Sequence, residues 1–198
     1  MIRLARTKSF NEQEVLEKIL MLFWQKGFHQ SSLGDILKAA GISKQSVYDT
    51  YGDKKTLFIK ALTLYREHTR GIESLVQQRI VEGISSIEIL RRLLYQGEST
   101  NENIKGCLMI NSMVELRDDD AAIRAEIDSV QSFFQELMEK LVTLGQQSGD
   151  ITTILPASHI VAVLMNARNG FQVGIDYSMS AKSLHETADY LIELIRAR

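Results

Sequence analysis

Residues 23–58, FWQKGFHQSSLGDILKAAGISKQSVYDTYGDKKTLF, hold two short helical patterns joined by a turn of about four residues, and few folds accommodate that. Ser32, with Asp35 three positions on, makes a capping-box-like start. Leu33, Ile36, Leu37 and Ala40 then recur at three- and four-residue steps on one apolar face. Gly41 falls where a helix C-terminus needs positive φ, Ile42 turns inward, and Ser43 stands ready to cap the next helix. In that next helix Val47 and Tyr51 share the buried face, so Gln45 and Asp49 point outward, flanked by Ser46 and Tyr48. Asn11 and Glu14 open an earlier helix that buries Val15, Ile19, Leu22 and Phe23 and ends at Gly27. Together the three helices read as a module with its own small core.

The remaining chain is also helical in pattern. It has a single proline, Pro156, and no sustained strict alternation, so no significant β-structure is expected. An apolar share of 44% is ample for a core. No apolar run is long enough to span a bilayer and MIRLARTKSF lacks the apolar stretch of a secretion signal, so the expected location is cytoplasmic, without membrane contact. Cys107 is the sole cysteine, which excludes an intrachain disulfide and a cysteine-rich zinc site. His29, His68, His159 and His185 have no close ligand spacing, and Asp118, Asp119 and Asp120 read as helix capping, so neither metal nor cofactor is expected.

The net charge of −2 hides an asymmetry. Residues 1–55 carry nine Lys or Arg against six acids, a net of +3, which leaves −5 for the rest. A basic segment attached to an acidic one suits a surface facing phosphates.

A helix from about residue 53 runs through Leu57, Ala61, Leu64 and Tyr65 to near Val81, with further helices near 85–96 and 103–117 and a polar ESTNEN loop between them. From Asp119 onward, Ile123, Ile127, Val130, Phe134, Leu137, Leu141 and Leu144 alternate at steps of four and three, which predicts a long helix ending near Gly149. That stripe is read as the core face of a bundle rather than a coiled coil. Pro156 precedes a helix whose seam carries Ile160, Val163, Ala167, Gly170, Gly174 and Tyr177, and a last helix carries Leu184, Ala188, Leu191 and Ile195.

The order F-W-x-K-G-F-x-x-x-S followed by A-G-I-S-K-x-S-V-Y-x-x-Y-G-x-K-x-x-L-F, within residues 11–58, resembles the N-terminal domain of TetR/AcrR-family transcriptional regulators. The resemblance implies an all-α fold of about nine helices: a helix-turn-helix domain over residues 1–53 and an effector-binding and dimerisation domain over 54–198. It further implies a non-enzymatic homodimer on palindromic double-stranded operator DNA, a repressor released by a small-molecule or thiol-reactive effector. Matched positions place Lys44, Gln45, Ser46, Tyr48 and Thr50 at groove- or backbone-facing sites. Gln45 is the candidate adenine reader, and Lys54 and Ser32 are candidate phosphate contacts. Asp49 departs from the aromatic or histidine usual there, and Arg3, Arg6 and Lys8 form a basic arm. The last two helices, through Ile160, Val163, Ala167, Gly170, Gly174, Leu184, Ala188, Leu191 and Ile195, are implied to build the dimer interface.

GCLMINSMVEL, residues 106–116, resembles the corresponding helix of a subgroup of these regulators. Two readings of Cys107 stay open: a thiol near a helix start and Lys105 able to react with an effector, or a small apolar residue packed beside Leu108. Met109, Met113, Phe133, Met138, Met165 and Phe171 are candidate pocket residues, with core packing as the alternative for each. A helical protein-binding adaptor without specific DNA binding is the competing class. No G-x-S-x-G elbow, H-E-x-x-H helix or glycine-rich nucleotide loop supports an enzyme.

Overall fold

The structure, a computed structural model, describes residues 10–95, 106–116, 120–176 and 180–197. Among them lie α1 (Glu12–Gln30), α2 (Leu33–Ala40), α3 (Lys44–Tyr51), α4 (Lys54–Val81), α5 (Ser86–Tyr95), α6 (Leu108–Leu116), α7 (Ala121–Ser148), α8 (Ala157–Asp176) and α9 (Ala181–Ile195). The described residues form no strand beyond an isolated bridge between Ile151 and Arg196. No described helix is long and apolar enough to cross a membrane. Arg3, Arg6, Lys8, the ESTNEN loop, Lys105, Asp118, Asp119 and Tyr177 lie outside the described residues.

Local chemistry sets the helix ends in the first half of the chain. Asn11 Oδ1 accepts from the Gln13 and Glu14 amides and opens α1. Gly27, at φ 76° and ψ 176°, breaks the helical path near its end. Ser32 and Asp35 complete both arms of the capping box of α2, and Gly41 closes it in the left-handed conformation at φ 66°. Ser43 caps α3, Asp53 caps α4, and Asp120 caps α7.

Two boundaries differ from expectation: α1 resumes after Gly27 and runs to Gln30, and α6 starts late. The helix expected over 103–117 begins at Leu108, because Gly106 takes φ 64° and lies so close to α8 that a Cβ there would stand 2.6 Å from the Gln172 carbonyl oxygen. The Trp24 indole N–H donates to the Gly106 carbonyl at 3.2 Å and pins the turn from the other side. Three-residue periodicity around 106 is silent about such a contact, which joins residues 82 positions apart.

The head does not have a core of its own. Ile19, Phe23, Ile36, Val47, Tyr51 and Phe58 are buried in one continuous cluster with Cys107, with Leu108, Met109 and Ile110 of α6 and with Ile123, Ile127, Val130 and Phe134 of α7. A second cluster joins α5, α8 and α9 to Leu137, Met138, Leu141 and Val142 of α7. The heptad stripe therefore serves both halves: every member from Ile123 to Leu141 is buried, while Leu144, at the far end, is half-buried. Leu141 is fully buried, so Leu141→Ala is expected to lower unfolding free energy by roughly 2–5 kcal/mol, read as a reduced urea midpoint with an unchanged slope.

Candidate nucleic-acid interface and effector region

α3 presents a polar outer face because its inner face is anchored at two points. Val47 and Tyr51 are buried, and the Tyr51 hydroxyl donates to the Glu12 carbonyl of α1 at 2.7 Å. Burial pushes the Tyr51 phenol up to about 12, so the anchoring proton stays in place at neutral pH. Lys44, Gln45, Tyr48 and Asp49 are left exposed, while Ser46 and Thr50 are half-buried.

The exposed residues are paired among themselves. Gln45 Nε2 donates to Asp49 Oδ1 at 2.7 Å, one helical turn away. Asp49 thus holds the Gln45 amide in a set orientation, a role that the residue types alone do not reveal. The Lys44 ammonium lies 5.9 Å from the Tyr48 ring centroid. Ser46 Oγ bonds Ser43 Oγ at 2.9 Å, and the Thr50 carbonyl accepts from Lys60 at 3.1 Å. Lys60 brings a further cation to the end of α3 that the motif did not flag.

Ser32 is occupied as a cap: its hydroxyl donates to Asp35 at 2.6 Å and accepts from the Asp35 amide at 3.1 Å. The Lys26 ammonium, 2.7 Å from Asp35, and next the Ser32 hydroxyl hold that carboxyl well below the carboxylate range. At the start of α4 the half-buried Lys54 ammonium sits 4.6 Å above the Phe28 ring. Lys55 instead pairs with Asp120, the cap of α7, and so is committed to joining α4 to α7.

A second link between head and body escaped sequence reasoning. Glu115, on α6, accepts from the Phe28 amide at 2.8 Å and the His29 amide at 2.6 Å. A Cβ on Gly27 would lie 2.7 Å from the same carboxylate, so glycine is required there both for its φ and for this close approach. Phe28 in turn packs on Phe58, with ring centroids 5.0 Å apart, beneath Lys54. Glu115 therefore ties α6 to the residues that seat Lys54. No local signal announces it, since its partners are 86 and 87 positions away.

Among the described residues the candidate pocket residues divide between the packed cores and separate clefts. Met109 and Met138 are fully buried in separate clusters, Phe171 is buried, and Met113 is 41% exposed. Phe133 lines a cleft of about 230 Å³ between α4 and α7, and Met165 one of about 270 Å³ between α7 and α8. A larger cleft of about 350 Å³, bordered by Trp24, Gly27, Asn111, Glu115 and Val173, contains none of the six. Periodicity finds apolar residues but not which of them meet.

Cys107 is buried with 3% exposure, its sulfur 3.2 Å from the Tyr65 hydroxyl. The seam residues divide in the same way. Ile160, Gly174, Leu184, Ala188 and Ile195 are buried inside the single chain, so they are core positions rather than a face offered to a second copy. Heptad spacing identified a packed stripe, but the chain's own α5 and α7 supply the surface it packs against. Val163 and Gly170 remain exposed, Ala167 and Leu191 half-buried, and Tyr190 and Leu194 stand out at 72% and 75% exposure.

Residues 15–61 match the family model for bacterial regulatory proteins of the tetR family, and residues 83–190 match the tetracyclin repressor-like C-terminal domain. The chain belongs to the tetR family of bacterial regulatory proteins. It is a helix-turn-helix transcriptional regulator of that family. The uncharacterized HTH-type transcriptional regulator YezE of Bacillus subtilis (strain 168) is 35% identical over 115 residues, 57% of this chain and 58% of that protein. The HTH-type transcriptional repressor ComR of Escherichia coli (strain K12) is 22% identical over 193 residues, 96% of this chain and 91% of that protein. Among solved structures, a cysteine-substituted TetR family regulator CifR, complexed with 26-bp double-strand operator DNA, superposes with a TM-score of 0.75 at 20% identity, covering 95% of this chain and 98% of that one. At that identity the likeness speaks for the shared fold.

Within this tetR-family fold, Glu115→Ala would leave the Phe28 and His29 amides without their acceptor. The expected loss is roughly 1–3 kcal/mol of unfolding free energy, measured by urea titration; an unchanged midpoint would rule out a stabilising clamp.

Proposed function

We propose that the protein is a homodimeric repressor that binds palindromic operator DNA and is released by a small-molecule or thiol-reactive effector. The observation that carries the reading is the outer face of α3, where Lys44, Gln45 and Tyr48 are exposed beside a Gln45 amide oriented by Asp49. A glutamine amide held in this way matches the donor and acceptor that adenine shows in the major groove. Lys54, Lys44 and the Tyr48 hydroxyl serve as phosphate contacts, and Ser32 joins them only by giving up its bond to Asp35. The chain then divides at the start of α4, with residues 1–53 as the DNA-binding part and 54–198 for effector and dimer contacts. The operator complex of CifR and the repressor name of ComR support this reading. A regulator of this kind works in the compartment that holds the chromosome.

The dimer is assigned to the outer faces of α8 and α9 carrying Val163, Ala167, Gly170, Tyr190, Leu191 and Leu194, in place of the buried members of the seam. Exposed apolar side chains at helical spacing on adjacent helices suit a symmetric interface. Two recognition helices must stand about 34–36 Å apart to enter successive turns of one DNA face, so a modest pivot between the halves is enough to weaken binding.

Selection of bound fragments from the source genome tests the DNA reading, with binding followed against salt. On a recovered palindrome, Lys54→Ala is expected to weaken binding to all sequences and reduce the salt slope by about one unit, whereas Gln45→Ala should change base preference. Equal effects of both changes on every sequence would remove these roles, and no retained fragment in dilute salt would favour the adaptor reading. Gly170 has open space within one chain. Gly170→Leu is therefore expected to leave the melting of the single chain unchanged and to shift sedimentation toward the monomer at low concentration; an unaltered sedimentation profile would place the dimer elsewhere.

A further inference from the structure

Arg168 of α8 is only 3% exposed, and its Nε has no hydrogen-bond partner. Its guanidinium carbon lies 3.5 Å from the Phe134 ring centroid, and the titratable groups acting on it are Cys107 and Tyr65. Among the described residues no carboxylate forms an ion pair with it. Burial pulls the guanidinium below its ordinary range, while the sulfur and the phenol oppose that pull. A buried cation left without a counter-charge is costly, so its retention beside a thiol calls for a physical reason. Burial raises the Tyr65 hydroxyl well above its usual value, so the phenol keeps its proton and can donate it to a sulfur 3.2 Å away.

We propose that Arg168 and Tyr65 are positioning residues for oxidation of Cys107 by small hydroperoxides, placed to hold the negative charge on the thiolate from which the sulfur attacks a peroxide oxygen. This rests on the thiol-responsive reading above and narrows its effector class. In the step, a sulfur–oxygen bond forms and the oxygen–oxygen bond breaks. Sulfur gives up an electron pair to the peroxide, and the thiol proton joins the departing hydroxide or alkoxide to give water or an alcohol, leaving a sulfenic acid. The size limit comes from burial: Sγ lies under Tyr65, and Trp24 closes the same corner, its ring 5.0 Å from Tyr65 and its indole bonded to the Gly106 carbonyl. Such enclosure leaves no room for a bulky electrophile and limits the reactant to one close to water in size.

The test adds hydrogen peroxide to the purified full chain, traps sulfenic acid at Cys107 with a dimedone-type nucleophile, and follows the adduct by mass spectrometry. Arg168→Met is expected to slow trapping by about tenfold or more, the effect of losing roughly 1.4 kcal/mol of the positive charge's hold on the thiolate. The same change should raise the melting midpoint, because an uncompensated buried charge is replaced by an apolar side chain. Arg168→Lys should recover part of the rate, and Tyr65→Phe should slow it several-fold with α8 untouched. N-ethylmaleimide should label Cys107 far more slowly in the folded chain than in urea. Oxidation of both Arg168→Met and Tyr65→Phe at the wild-type rate would overturn the proposal, as would maleimide labelling equally fast in both conditions. Arg168-dependent oxidation that leaves operator DNA bound would sink the sensor reading while supporting the positioning role.

Discussion

One apolar stripe on α7 holds the molecule together. Ile123, Ile127, Val130 and Phe134 close the core that contains the helix-turn-helix, and Leu137, Met138 and Leu141 close the core of the C-terminal helices. A rigid helix that belongs to both cores cannot shift at one end without disturbing close-packed contacts at the other. The helix-turn-helix and the C-terminal helices are therefore joined through a packed interior.

Onto that shared spine the structure adds polar ties that reach the helix-turn-helix. Glu115 accepts from the backbone just after Gly27, Asp120 pairs with Lys55, and Trp24 bonds the turn that carries Cys107. The Glu115 and Trp24 ties run from α1 to α6 and the turn before it, and the Lys55 tie from α4 to the start of α7, near where Cys107 meets Tyr65. A chemical change at that buried sulfur would thus be made within reach of the residues seating Lys54, which is the physical requirement for one site to bias another.

The helix-turn-helix was legible because its determinants are local. Ser32 with Asp35, Gly41, Ser43 and Asp53 act within three or four residues of themselves, so their spacing predicts the bonds that form. The outward placement of Gln45 and Asp49 on α3 followed from helical period, although the bond between them that orients the Gln45 amide did not. The pocket and interface were less legible. Met109 and Met138 satisfy the same apolar pattern as a pocket wall yet lie in the core, and Ile160, Leu184, Ala188 and Ile195 satisfy a dimer seam yet pack within one chain.

By itself the amino-acid order determined the helices, their caps, the polar outer face of α3 and the continuous stripe of α7, because backbone hydrogen bonding and helical period act over one or two turns. Tertiary structure alone decided that the head shares its core with α6 and α7, that Gly106 rather than residue 103 sets the start of α6, and that Glu115 and Arg168 have the neighbours they do. Those outcomes depend on contacts between residues tens of positions apart, and such contacts exist only once the helices have packed.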